Sequence, residues 1–322
     1  MVIGRKRGWE LPESAATDEA VFHDRRRLIQ AIAAGPILGS GLIGRIASAA
    51  AEGPDPSASL YPFKRDAKYT IGRPLTDQKF VSSYNNFYEF GTSKDIVGPA
   101  QALPLRPWEI KIDGMVEKPF TIGIDDLLKK MPLEERLYRH RCVEAWSFTV
   151  PWSGFAMKAL VDLAKPLGSA KYVKMETFMD PKVAPEQNKF FYPWPYVEGL
   201  TMAEANNELA FVATGMYGKP MPKQNGAPLR LVVPWKYGFK SVKSVVRFEF
   251  TDKRPKTYWA ELGPSEYGFW ANVNPAVPHP RWSQADERVI GTDQRVPTQI
   301  YNGYGEYVAS LYDGMKGEKL FM

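Results

Sequence analysis

The sequence predicts an α+β domain built mostly on a β core. Three observations carry that expectation. Segments of five to nine residues with many β-branched and aromatic side chains recur along the chain, several alternating apolar and polar. Helical spacing is confined to two short stretches. The 27 Pro and 26 Gly cut the 322 residues into short elements, while a 44% hydrophobic fraction and nine Trp supply a sizeable core.

In order, the chain opens with an unusual leader. DRRRLIQ (24–30) precedes AIAAGPILGSGLIG (31–44), uncharged and mildly apolar, and then RIASAAAEG (45–53). A basic start, a short apolar run and small residues at the end describe an export signal. The arginine pair before two apolar residues makes it a twin-arginine signal, with cleavage expected near 49–51 and residues 1–50 removed. A membrane anchor is the alternative, and the Gly, Pro and Ser in the run count against it. Residues 51–80 are expected to form an extended polar arm, and 81–322 a single catalytic domain. WEIKIDG (108–114) and FTIGI (120–124) predict a hairpin, and DDLLKKMP (125–132) a short helix begun by an Asp cap. FAMKALVDLAKPLG (155–168) has helical spacing with a Pro/Gly stop. AKYVKMET (170–177), ELAFVATG (208–215), LRLVVPW (229–235) and SVVRFEFTD (244–252) predict strands.

The chemistry open to the chain is narrow. The formal charge of +6 comes without like-charge runs, which disfavours nucleic acid as a partner. Neither GxGxxG nor GxxxxGK[ST] occurs, so nucleotide-binding fingerprints are missing. One Cys and, after the leader, two His (His140 and His279) are too few for a zinc cage, an iron–sulfur cluster or a CxxCH haem. A cysteine hydrolase would pair Cys142 with one of those histidines, and nothing local supports it. One class needs a single thiolate: a metal whose other ligands come from an organic cofactor, such as molybdenum on a pyranopterin dithiolene. Cys142 lies in YRHRCVEAWS (138–147), where Arg139 and Arg141 would help to keep a thiolate charged. The bland alternative is a small buried hydrophobe.

Four stretches bear on the choice: YNNFYEFG (84–91), YRHRCVEAWS (138–147), KQNGAPLRLVVPWKYGFKSVKS (223–244) and YGFWANVNPAVPHPRWSQ (267–284). Together they closely resemble the MsrP (YedY) family, from about residue 80 to the end, with departures at His140 and between Thr92 and Leu105. The resemblance implies the sulfite-oxidase molybdopterin-binding fold, a Mo-molybdopterin cofactor, and periplasmic reduction of methionine sulfoxide in oxidised exported proteins. It also implies electrons supplied from quinone through a membrane haem-binding subunit of the MsrQ (YedZ) type. Residue by residue, it makes Cys142 the molybdenum ligand. Asn85, Tyr88, Glu89, Thr177, Asn225, Arg230, Ser241, Val242 and Lys243 become pterin contacts, Arg230 suiting the phosphate. Asn85 and Asn86 are equally apt for turns, Thr177 for a plain strand, and Lys236, Lys240 and Lys243 for a solvated basic face.

Glu144 is the candidate for tuning or protonating the site, since two residues along an extended segment share a face. The alternative is a structural pair with Arg139 or Arg141. Trp235 and Tyr267 are candidates to meet the substrate thioether, or core residues. A reductase of small S- or N-oxides, or a sulfite-oxidase-like enzyme, would use the same fold, and a non-enzymatic binding module is the third class. With about 40 residues after HPRWSQ, no dimerisation domain is expected and the chain should be a monomer.

Overall fold

Two mixed β-sheets organise the computed structural model, which describes residues 55–70 and 72–322. These residues belong to one unit, Ala51–Met322. The expected leader over 1–50 lies outside them.

The strands in chain order are β1 (Glu109–Gly114), β2 (Phe120–Gly123), β3 (Glu134–Arg141), β4 (Trp146–Ala156), β5 (Tyr172–Thr177) and β6 (Val197–Thr201). They continue with β7 (Phe211–Met216), β8 (Lys219–Pro220), β9 (Arg230–Val232), β10 (Val245–Thr251), β11 (Asp286–Val289) and β12 (Arg295–Pro297). One sheet runs β2-β1-β10-β5-β6. The other runs β12-β11-β4-β7-β8, with β3 on β4 and β9 on β7. Parallel pairing of β1 with β10 and of β4 with β11 makes both sheets mixed. Among the described residues the helices are short, the longest being Met157–Ala164, which buries Met157, Leu160, Val161 and Ala164. This is the α+β architecture that the alternating segments predict.

Local differences have physical causes. The first β1–β2 hairpin and the β5 and β10 strands match the predicted segments, because each sheds one polar face to solvent. LRLVVPW is a strand only over Arg230–Val232, where β9 pairs with β7. The helix Ile124–Lys130 has no side-chain cap: Gly123 stands at its N-cap, and Asp125 and Asp126 lie in the first turn. There they favour the positive end of the helix, and Asp125 also pairs with Arg106.

The arm is less extended than its composition suggests. Asp55 caps a 3-10 turn at Pro56–Leu60, and Asp77 caps the helix Gln78–Ser83. Between them Asp66 N–H bonds the Glu135 carbonyl (2.8 Å), laying the arm along β3. β4 reads WSFTVPWSGFA, and ten of its eleven residues are buried. Both faces are covered, so it shows no alternation. Each large apolar side chain there contributes roughly 1.5–3 kcal/mol.

Candidate active site

The β3–β4 hairpin sets the chemistry. Its strands pair from Glu134↔Gly154 to Arg141↔Ser147, leaving residues 142–145 as the turn. Ala145 N–H closes it on the Cys142 carbonyl (3.1 Å), with Ala145 itself at φ 60°. Cys142 and Glu144 therefore meet through a tight turn and not through an extended segment. The Glu144 N–H points at Cys142 Sγ (3.5 Å), and the Glu144 Oε2 lies 3.7 Å from it.

The two arginines of RHR act differently from expectation. Arg141 is fully buried, ion-paired to Glu287 (2.9 Å), and donates to Gln284 Oε1 (2.8 Å), Thr298 Oγ1 (3.1 Å) and the Cys142 carbonyl. It anchors the backbone of the turn and makes no hydrogen bond to the sulfur. Arg139 donates to Gln299 (2.7 Å) and lies over the Tyr304 ring. Cys142 is 5% exposed. Burial, and then the Glu144 carboxylate, push its thiol up to about 12, against the weaker pull of the Glu144 N–H, Lys94 and Arg141. The protein alone thus holds the sulfur protonated at neutral pH. A thiolate here requires a cation at the sulfur, which a bound metal would supply.

Glu144 pairs with neither arginine. It accepts from Trp146 Nε1 (2.9 Å), Asn86 Nδ2 (3.1 Å) and Lys94 Nζ. Burial works to raise its carboxyl, but these three hydrogen bonds outweigh it and hold the group below the ordinary glutamate value. Asn86 Nδ2 also lies 3.7 Å from Cys142 Sγ, and Lys94 Nζ donates to Asn86 Oδ1.

A cavity of about 970 Å³ opens beside the turn. Asn85, Tyr88, Glu89, Asn225, Arg230, Ser241, Val242 and Lys243 line it together with Cys142 and Glu144. The segments arrive from the end of the Gln78–Ser83 helix, the 3-10 turn Lys223–Asn225, β9 and the β9–β10 connection. Asn225 Nδ2 donates to Asn85 Oδ1 (3.0 Å) and the Val81 carbonyl (3.0 Å), while its own Oδ1 is buried without a partner. Gly226 adopts φ 104°, and a Cβ there would meet Lys243 Cγ at 2.7 Å and Arg230 Cβ at 3.3 Å. Glycine is what lets this turn close against the two cations.

Those cations define the ligand. Arg230 is buried and donates to the carbonyls of Asn225 (3.0 Å), Ser241 (3.0 Å) and Leu231 (3.3 Å), and burial pulls it down to about 10. Lys243 Nζ donates to the Asn86 carbonyl; burial and then Arg230 drive it well below the ordinary lysine value. Burial, Arg230 and Lys243 also push His140 down to about 3. Neither cation donates to a carboxylate among the described residues. Two buried cations and an unpaired amide oxygen fit a polar heterocycle with a phosphate, as a pterin cofactor is. No group of three His, Cys, Asp or Glu among the described residues could hold a metal by itself.

Some expected residues lie elsewhere. Thr177 is behind the cavity wall, its hydroxyl donating to the Lys243 carbonyl. Trp235 is core, bonded to the Tyr312 hydroxyl (2.8 Å), whereas Tyr267 does line the cavity. Lys236 and Lys240 form no solvated face: both are fully buried and pair with Glu204 and Glu198. The mouth arginines are paired as well, Arg281 with Glu266, Arg288 with Asp293 and Arg295 with Asp286. Asn86 and Lys94 escaped sequence reasoning as site residues. The repeated amide in YNNFYEFG was the one signal for Asn86, and Lys94 falls in a stretch where the family likeness fades.

The chain is similar to several known proteins. The model of the "Oxidoreductase molybdopterin binding domain" matches residues 98–259. Protein-methionine-sulfoxide reductase catalytic subunit MsrP of Xanthomonas axonopodis pv. citri is 48% identical, over 97% of this chain and 98% of that one. The same-named protein of Burkholderia mallei is 46% identical, over 98% and 96%. The sulfane dehydrogenase SoxCD structure from Paracoccus pantotrophus aligns at TM-score 0.41 and 17% identity, over 67% of this chain and 56% of that one. The lone thiol at a hairpin tip, beside a cavity built for a bulky anion, thus sits in a chain that belongs to the molybdopterin-binding oxidoreductases, in the MsrP family.

Proposed function

We propose that this chain reduces methionine sulfoxide residues in proteins, consuming two electrons and two protons and releasing methionine and water. The observation that carries the reading is the buried Cys142 thiol on a cavity whose Arg230 and Lys243 side chains donate to backbone carbonyls and to no carboxylate among the described residues. Cys142 Sγ would hold molybdenum, and Asn85, Tyr88, Glu89, Asn225, Arg230, Ser241, Val242 and Lys243 would hold the pterin. Thr177 would act through the Lys243 backbone. Bound there, molybdopterin supplies the two-electron chemistry.

The chain's own part is positioning and proton supply. Glu144 is held as a carboxylate, and Lys94 Nζ, bonded to Glu144 and Asn86 on the cavity wall, is the proton donor in this reading. Tyr88, Trp259, Tyr267 and Trp282 give the wall an apolar, aromatic face suited to a thioether. A sulfite-oxidase-like site would need an unpaired cation at the mouth, and the arginines there are each matched by a carboxylate.

The electron donor belongs to the proposal: a membrane haem-binding subunit of the MsrQ type, drawing on quinone. The relatives' description as a catalytic subunit supports a partner of this kind. Periplasmic work after twin-arginine export is supported by the leader sequence of residues 24–53. The test is metal content and activity together. Wild type from molybdate-replete cells should hold molybdenum and reduce an oxidised protein with a reduced dye. Cys142→Ser should lose the metal and at least about 10³-fold of the activity. Wild type without molybdenum would sink the reading. Free and protein-bound sulfoxides, assayed side by side, separate this enzyme from a reductase of small oxides.

A further inference from the structure

The connection between β5 and β6, residues 178–196, ends in KFFYPWPY. Its base is braced. Gln187 Nε2 donates to the Phe178 carbonyl (2.8 Å), and Gln187 Oε1 accepts from the Asp180 N–H (2.8 Å). Trp194 Nε1 donates to the Glu186 carbonyl (2.9 Å). From this base the loop lifts two phenylalanines into water: Phe190 is 96% exposed and Phe191 58%. Among the described residues they are the only aromatic side chains so exposed. A frayed loop would leave such rings out by default, whereas a braced one presents them.

The rings lead inward to the cavity. Phe190 meets Phe191 (5.8 Å between ring centres), Phe191 meets Tyr192 (4.6 Å), and Tyr192 stacks on Tyr258 (6.2 Å). Tyr258 meets Trp259 (5.5 Å), and Trp259 packs on both Tyr88 and Tyr267 (5.0 Å each). Trp259, Tyr88 and Tyr267 belong to the cavity wall. The exposed pair is the outer end of one continuous aromatic track whose inner end lines the same cavity as Cys142.

We propose that Phe190 and Phe191 dock the polypeptide that carries the oxidised methionine, gripping an apolar side chain some residues away from it. The proposal rests on the functional reading above and names the substrate as an unfolded, apolar-rich chain. Folded proteins keep such side chains inside. The four steps from Phe190 to Trp259, each between 4.6 and 6.2 Å, limit the gap between them to at most about six residues of extended chain. A lipid surface is the less favoured occupant. Lys182 and Lys189 in the loop are balanced by Asp180 and Glu186, so it lacks the net positive charge that anionic membranes attract.

The test uses the molybdenum-loaded full chain and its Phe190→Ser/Phe191→Ser variant, with a reduced dye as electron source. The substrates are free methionine sulfoxide and two peptides, which carry a leucine pair or a serine pair about six residues from the sulfoxide. Wild type should show a KM about tenfold lower for the leucine peptide, and the variant should abolish that preference. Turnover of free methionine sulfoxide should not change. Equal KM values in wild type and variant would overturn the proposal. So would a parallel loss on free methionine sulfoxide, which would mark the loop as structural. Loss of adsorption to anionic phospholipid vesicles with peptide kinetics unchanged would assign the rings to a membrane instead. Wild type inert on every sulfoxide would refute the functional reading itself, and the docking role with it.

Discussion

Glu89 is buried on the cavity wall, and burial pushes its carboxyl up to about 7 against the weaker pull of its own backbone N–H and Lys243. Between the ordinary value of 4.5 and 7, the folded chain keeps a proton that the unfolded chain has released. Stability therefore falls as pH rises through that window and stays lowered above it. Glu89→Gln removes the titration. In cofactor-free protein it should raise the melting temperature at pH 8, by the equivalent of about 3 kcal/mol, and leave it nearly unchanged at pH 5. Equal effects at both pH values would contradict this.

The residue types at this site were legible through the shared blocks, which put ten candidates on one cavity wall. The charge partners were not. Sequence proximity suggests that Glu144 pairs with Arg139 or Arg141, yet Lys94, fifty residues earlier, takes it. Alternation along β3 turns those arginine side chains away from the sulfur, into the protein.

At the scale of elements, the turn Lys223–Gly226 packs closely against the two cations of the cradle. Gly226→Ala forces a Cβ onto Lys243 at a φ that L-residues disfavour, and should cost about 2–4 kcal/mol in thermal or denaturant unfolding. It should also lower the pterin content of the purified protein, because Lys243 must shift. Strands with one wet face were readable from their short apolar and β-branched pattern: β1, β5 and β10. β4 was not, because both its faces are dry, and Pro151 sits in its middle. β3 was not, because EERLYRHR carries so many charges that it looks like surface. Its charges are instead consumed internally, Arg136 on the Glu208 carbonyl (2.5 Å) and Arg141 on Glu287. A charged strand can be interior only if its partners arrive from distant parts of the chain, which local pattern cannot reveal.

For the molecule as a whole, the buried pairs Lys236–Glu204 and Lys240–Glu198 fasten the segment before Ser241, Val242 and Lys243 to β6 and the helix after it. Removing one member leaves an unpaired buried charge. Lys240→Met should destabilise the protein by about 3–5 kcal/mol, and Lys240→Met/Glu198→Gln should regain most of that in denaturant titrations. A double variant no better than the single one would show that the lysine acts through packing on Phe269, over whose ring it lies. Arg141 carries a different consequence. Its carboxylate partner, Glu287, lies 146 residues downstream, and Thr298 follows later still. A chain emerging from the ribosome makes Cys142 long before it makes that latch. Until Glu287 folds back, Arg141 has no counter-charge and stays in water, so the turn it anchors through the Cys142 carbonyl cannot be buried as in the finished fold. If Cys142 holds molybdenum as proposed, loading follows completion of this latch, and a chain cut short before Glu287 should carry no molybdenum when its metal content is measured.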